Sequence, residues 1–278
     1  MNVFESDFFR NSKFHWDFIR KIKNIEQWEI LCKQYNKNNN FLNKESKIPK
    51  IIHQIWIGPK KLPGSYKKWM QTWIKYNPKY EYRLWRDEDI LKLNMKNEKK
   101  YNESKNVGIK SDIARYEILN IYGGIYVDTD FECLTSIPKY LHHYDFVSSI
   151  IFDFNPVIAN GFIMSKKNSI LVENLIQNLN LEISSNNIEY IINNSGPGLL
   201  TKEYFNLNNK ARDKCLILPS NMLYPYPNFL INKSNDRKQM ITKSSFGLHH
   251  WEMSWMKGSI LKRVLLKIKK IIQNFYKN

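Results

Sequence analysis

The sequence predicts an α/β domain, a mostly parallel sheet flanked by helices. Three observations predict it. Short, almost continuously apolar runs end at turn residues, as buried parallel strands do. These runs alternate with segments of helical period, in the order strand, helix, strand, helix. The 278 residues are 42% apolar and 14% aromatic with only 10 Gly and 10 Pro, which supplies a sizeable core and excludes disordered or collagen-like chains.

Residues 1–46 read as a separate N-terminal extension. Phe14, Phe18, Ile22, Ile25, Trp28 and Leu31 recur at three- and four-residue steps, the mark of an amphipathic helix. The polar run from Tyr35 to Asn40 is expected to end that helix as a linker. The first strand is expected between Ile48 and Ile57, closed by Gly58 and Pro59. Ser65 to Tyr76 then reads as a helix with Trp69 and Trp73 on one face, stopped at Asn77-Pro78. Tyr80 to Trp85 alternates as a second strand, and a helix is expected from Asp87 to Leu93. In such sheets ligands bind at the carboxyl ends of the strands, so chemistry is sought just after Ile57, Trp85 and the later strands.

The most informative stretch runs from Lys110 to Asp130. Ile109, Ile113, Ala114, Tyr116 and Ile118 follow helical period, and Asp112 and Arg115, three apart, share a face. Gly123-Gly124 ends the helix, because glycine enters the left-handed region without strain. Ile125 to Val127 is a short buried strand, and it leads into Asp128 and Asp130. Alternation along an extended chain is expected to point both carboxylates to one side. Two carboxylates so placed call for a cation between them, and hard oxygen ligands suit Mg2+ or Mn2+.

Lys and Arg total 43 against 26 Asp and Glu, a net charge of +17. Nucleic acid, an anionic membrane or a phosphorylated substrate could each answer that charge. Cys32, Cys133 and Cys215 are few, odd in number and far apart, which argues against a disulfide framework or a structural zinc and fits the cytoplasm. The N-terminus has no apolar signal-peptide core, and no run approaches a spanning helix. Residues 259–278 place Ile260, Val264, Ile268, Ile271 and Phe275 on one helical stripe with Lys and Arg on the rest. That pattern suits a helix lying in an anionic membrane interface.

The run from Ser111 to Asp130, SDIARYEILNIYGGIYVDTD, resembles the signature of the DXD-containing sugar transferases of glycosyltransferase family 32. IPKIIHQIWIG (48–58), NGFIMSKK (160–167), SGPGLLT (195–201) and HHWEMSW (249–255) resemble further segments in the family's order. The likeness covers roughly residues 47–257, so the catalytic domain is placed at 47–258. It implies a GT-A nucleotide-diphospho-sugar transferase fold with a mixed, mostly parallel sheet. It also implies a metal-dependent, retaining transfer of sugar from a UDP- or GDP-sugar to a hydroxyl of a glycan or lipid-linked acceptor. In that reading Asp128 and Asp130 are the DxD pair. Asp112 and Arg115 hold sugar hydroxyls and phosphate, Trp56 stacks on the base and Tyr126 lines the donor pocket.

Leu248 to Trp255 is dense in polar and aromatic groups and could close over the donor. Histidine ligates Mn2+ through a neutral nitrogen, so His250 is expected as the third ligand, with His249 the alternative. Ser254 and Trp255 are expected on the diphosphate. Asn160-Gly161 and Ser195 to Gly198 are turn sequences at the ligand edge, and Asp153 is a further candidate for sugar hydroxyls. The expected process is surface polysaccharide synthesis by a cytoplasmic protein held at the inner face of the membrane. Two rival classes are a basic nucleic-acid-binding protein and a metal-dependent phosphohydrolase. The first lacks any recognisable nucleic-acid motif, and the second would need more ligands than the DxD and one histidine supply.

Overall fold

The computed structural model describes residues 3–12, 23–37, 45–151, 155–180, 187–226 and 239–252. The N-terminal extension supplies α1 (Asp7–Arg10) and α2 (Ile25–Lys37). Phe14, Phe18 and Ile22, and the whole basic tail from 259 to 278, lie outside the described residues. The polar break expected at Tyr35 comes later, because α2 continues to Lys37. The extension buries Phe8, Phe9, Trp28, Leu31 and Cys32 in the same core cluster as the helices of the main domain.

The main domain continues with β1 (Ile51–Ile55), α3 (Gly64–Tyr76), β2 (Glu81–Trp85), α4 (Asp87–Ile90), α5 (Glu98–Glu103), α6 (Val107–Tyr122), β3 (Gly124–Val127) and β4 (Phe131–Cys133). There follow β5 (Phe146–Ser149), β6 (Phe162–Ser165), α7 (Ile170–Gln177), α8 (Ile188–Asn194), α9 (Pro197–Asn206), α10 (Asn209–Arg212), β7 (Cys215–Leu218) and β8 (Gly247–His249). Six strands form one sheet in the order β2-β1-β3-β6-β5-β7, and β4 and β8 form a separate two-stranded ribbon. β1 runs parallel to β2 and β3, and β5 runs parallel to β7. β6 is antiparallel to both of its neighbours, so the sheet is mixed.

Both sheet faces are covered, which is why the strands read as unbroken apolar runs. Along β3, Ile125 and Val127 enter one core cluster and Tyr126 the other, as a period of two requires. α6, α7 and α9 pack on the Tyr126 side, while α3 and the ribbon pack on the Ile125 side through Trp73, Phe131 and Phe246. Each such apolar side chain stabilises the fold by about 1.5–3 kcal/mol when fully buried.

α6 starts where the Asn106 side chain accepts from the backbone N–H groups of Gly108 and Ile109, two donors the helix leaves orphaned. It stops at Gly123 and Gly124, with φ of 65° and 99°. Left-handed φ is one reason for glycine here and close approach is another. A Cβ on Gly124 would sit 2.7 Å from the Ile51 carbonyl oxygen. His53 fixes this junction: Trp85 Nε1 donates to its Nδ1 at 3.1 Å, and its Nε2 meets the Gly123 carbonyl at 2.9 Å. Burial pushes His53 down to about 4, so it sits there neutral. The helix expected from Asp87 to Leu93 closes after one turn at Ile90.

Candidate active site

The DxD pair lies just beyond the carboxyl end of β3, at the edge where parallel strands open toward ligands. Strand alternation, however, does not aim the two carboxylates. β3 ends at Val127, and Asp128 to Asp130 form a turn closed by Phe131 N donating to the Asp128 carbonyl at 3.1 Å. This turn leads directly into β4, so both carboxylates face the ribbon. Asp128 is held from three directions. Tyr126 Oη donates to Oδ1 at 2.6 Å, an Arg115 nitrogen lies 3.5 Å from the same oxygen, and the backbone N–H donates to the Gly161 carbonyl at 2.8 Å. A Cβ on Gly161 would come within 2.6 Å of Asp128 Oδ2, so only glycine leaves room for that oxygen.

The third group at the pair is His249, a correction to the expectation of His250. β8 pairs with β4 so that His249 stands opposite Phe131, and its Nε2 lies 3.2 Å from Asp130 Oδ1 and 3.7 Å from Asp128 Oδ2. His250 points the other way. Its Nε2 meets Glu132 Oε2 at 2.9 Å and its ring stacks on Trp69 at 3.9 Å. Adjacent strand residues face opposite sides, so the register of the ribbon decides between the two histidines. Trp251, with a left-handed φ of 58°, closes against His249 edge-on at 4.3 Å. That conformation is strained for a bulky side chain.

One ligand atom from each of Asp128, Asp130 and His249 lies within 4.8 Å of the others. Neither nitrogen of the buried His249 ring makes a hydrogen bond among the described residues. The Nε2 of this buried imidazole, set beside two carboxylates and without a hydrogen bond of its own, stands where a ligand atom to a cation would stand. The donor set of two carboxylate oxygens and one imidazole nitrogen fits Mn2+ or Mg2+. Without a cation the imidazolium takes its place. Burial opposes the charge on His249, but Asp130 and Asp128 push it up to about 9. Burial would raise Asp130, yet the His249 charge and the Glu252 N–H, which donates to Oδ2 at 2.9 Å, hold it below its usual range.

Behind the pair sits a second buried cluster. Asp112 accepts from Asn160 Nδ2 at 2.9 Å and from Ser195 Oγ at 2.7 Å, and lies 3.1 Å from Arg115. Burial raises its pKa against the pull of Arg115 and Ser195. Arg115 also donates to the Asn160 carbonyl at 2.6 Å and lies 4.5 Å over the Tyr126 ring. Its fork is therefore engaged by protein groups, and it links Asp112 to Asp128. Burial pushes the Tyr126 phenol well up, which keeps it a hydrogen-bond donor to Asp128.

Trp56 stands just past β1 but is 7% exposed, packed edge-on against Tyr66 with its indole N–H donating to the Lys60 carbonyl at 2.8 Å. Asp153, Ser254 and Trp255 lie outside the described residues. Asn160 and Ser195, expected as turn residues, also hold Asp112 with their side chains. Sequence reading missed Tyr224 altogether. That phenol is buried beside Gly161 without a hydrogen bond among the described residues, and its ring centroid lies 5.5 Å from that of His249. Only the Tyr-Pro turn that follows gave any signal.

Comparison with known proteins agrees with this geometry. Residues 63–147 match the family model described as a glycosyltransferase sugar-binding region containing a DXD motif. The uncharacterized glycosyltransferase L373 of Acanthamoeba polyphaga mimivirus is 30% identical over 197 residues, 68% of this chain and 76% of that protein. Inositol phosphoceramide mannosyltransferase 3 of Schizosaccharomyces pombe is 33% identical over 112 residues, 37% of this chain but only 30% of that enzyme. Among solved structures, the catalytic domain of alpha-toxin from Clostridium novyi superposes with a TM-score of 0.51 at 12% identity, over 96% of this chain and 93% of that domain. Fold and site together define a glycosyltransferase of the GT-A type. The chain belongs to the family whose sugar-binding region carries the DXD motif.

Proposed function

We propose that this glycosyltransferase uses a divalent cation, Mn2+ or Mg2+, and moves a sugar from a UDP- or GDP-sugar to a hydroxyl of a glycan or lipid-linked acceptor, with retention at the anomeric carbon. The observation that carries the reading is the meeting of Asp128, Asp130 and the hydrogen-bond-free His249 within 4.8 Å. Bound there, the cation would neutralise charge on the departing diphosphate as a Lewis acid. Asp128 keeps 27% of its side chain exposed, so the cluster is reachable from solvent. Tyr126 and Arg115 hold Asp128 in one orientation, and Arg115 acts by positioning rather than by contact.

Retention by double displacement needs a free carboxylate beneath the anomeric carbon. Among the described residues at the site, the other buried carboxylate, Asp112, has both oxygens engaged by Asn160, Ser195 and Arg115. This favours front-face attack. The acceptor hydroxyl forms the new carbon–oxygen bond as the bond to phosphate breaks, the electron pair leaves with the diphosphate, and a phosphate oxygen takes the hydroxyl proton. The inositol phosphoceramide mannosyltransferases among the relatives support a lipid-borne acceptor. Among the described residues no helix is long and apolar enough to cross a membrane.

The test is incubation of the full chain with Mn2+ and a panel of UDP- and GDP-sugars, reading nucleoside diphosphate release, then the anomeric configuration of the product. Turnover should fall at least a hundredfold in Asp128→Asn and Asp130→Asn. Intact turnover in either variant would end the reading, and a trapped glycosyl-enzyme would end the front-face route.

A further inference from the structure

α3 is a helix with one buried and one charged side. Tyr66, Met70 and Trp73 face the core, while Lys67, Lys68, Gln71, Ile74 and Lys75 face outward. From Pro59 to Tyr80 the chain carries six lysines, Lys60, Lys61, Lys67, Lys68, Lys75 and Lys79, and no acidic residue. All six are exposed. None of Lys67, Lys68, Lys75 and Lys79 makes an ion pair among the described residues, in contrast to Lys33 and Lys99, which pair with carboxylates on their own helices. Acidic groups on two adjoining elements are already engaged: Glu81 by Arg83 and Glu132 by His250. Two large apolar side chains stand exposed at the end of the same helix, Ile74 at 38% and Tyr76 at 37%.

This side of the molecule is tied to the reaction centre. α3 follows β1 and runs back along the sheet, so its first turn, with Lys67 and Lys68, lies at the strand edge that carries Asp128 and Asp130. Trp69 stacks on His250, whose backbone N–H donates to the Asp130 carbonyl at 2.9 Å. Trp73 Nε1 donates to the Phe131 carbonyl at 2.8 Å, one residue past the second aspartate. Lys67 and Lys75 stand about 12 Å apart along the helix, at a rise of 1.5 Å per residue. Such a row of cations with apolar side chains among them matches a charged lipid headgroup layer, where ammonium groups meet phosphates and apolar tips enter beneath them. A nucleic-acid groove would instead line its cations with exposed aromatic stacking platforms, and on this face Tyr76 is the one large exposed aromatic.

We infer that the outward face of α3, with the Lys60-Lys61 loop before it, docks on an anionic lipid surface and sets the active-site edge against that surface. The inference rests on the lipid-borne acceptor proposed above and adds the element that reaches the bilayer.

The experiment is co-sedimentation of the full chain with vesicles of phosphatidylcholine, with and without phosphatidylserine, comparing the parent protein with the Lys67→Gln/Lys68→Gln/Lys75→Gln variant. The residues beyond 252 stay constant in this design. Each basic group near an anionic surface is worth about fivefold in partition, so the variant should lose about tenfold to a hundredfold on phosphatidylserine vesicles, and the parent should lose binding as salt is raised. Unchanged binding of the variant, or equal binding of the parent to neutral vesicles, would overturn the inference. So would loss of affinity for a duplex oligonucleotide with vesicle binding intact. Diphosphate release from soluble donor should be the same in parent and variant. A parent that binds vesicles through these lysines yet turns over no donor would sink the transferase mechanism and leave the docking face standing.

Discussion

Cation binding should drive a proton off His249. The imidazole lies 3.2 Å and 3.7 Å from two carboxylates, which push it up to about 9 against its burial. At pH 7 it is therefore protonated, and it must become neutral to act as a ligand. One pH unit is worth about 1.4 kcal/mol, so the apparent affinity for Mn2+ should rise about tenfold per unit from pH 7, approaching a hundredfold by pH 9. Because this pKa is raised above the ordinary 6.5, the protonated ring also stabilises the cation-free fold. That contribution is fully present below pH 6.5 and is lost as pH rises through about 9. Titration calorimetry of Mn2+ at neutral pH, in buffers of differing ionisation enthalpy, should report about one proton released per ion bound. His249→Ala should abolish that release and His250→Gln should keep it. A proton count of zero, an affinity flat in pH, or loss of the release in His250→Gln alone would refute the assignment of His249.

Three further outcomes are expected. Gly161→Ala puts a methyl 2.6 Å from Asp128 Oδ2 and should weaken Mn2+ binding about tenfold to a hundredfold with little change in thermal midpoint, as seen by equilibrium titration. Arg115→Met leaves the buried Asp112 without its cation and should cost about 3–5 kcal/mol in urea unfolding. His53 should make the protein acid-sensitive. Its pKa is lowered from 6.5 to about 4, so its contribution is whole above pH 6.5 and is lost as pH falls toward 4, by about 3 kcal/mol in all. Denaturant midpoints across that interval should show the loss, and His53→Gln should flatten it.

The lines of the fold that rest on short-range chemistry were legible in the sequence. The Gly123-Gly124 stop, the helix before it and the strand after it follow from backbone sterics and apolar period alone, and they locate Asp128 and Asp130. The third group at the pair was not legible at that level. His249 and His250 are neighbours of one type, and which of them faces the aspartates depends on how β8 registers against β4, strands separated by more than a hundred residues of chain. A slip of one residue in that pairing would exchange them. Asn160 and Ser195 were visible as turn formers, but their hydrogen bonds to Asp112 arise only once α6, β6 and α9 have packed. The helix that starts at Asp87 is shorter than the expected span to Leu93. Its start is fixed by the Asp89 carboxylate, which accepts from the Arg86 N–H at 3.0 Å, but the chain leaves the helix after Ile90.

The β4–β8 ribbon has a bearing on how the enzyme comes into being. It joins the aspartates to a histidine some 120 positions further along the chain. During translation the six-stranded sheet can therefore collapse around Asp128 and Asp130 well before residue 249 has left the ribosome. A nascent chain at that stage has a nearly complete body but still lacks the histidine that meets the two aspartates. The three-residue cluster would then be completed late, when one short strand pairs with β4.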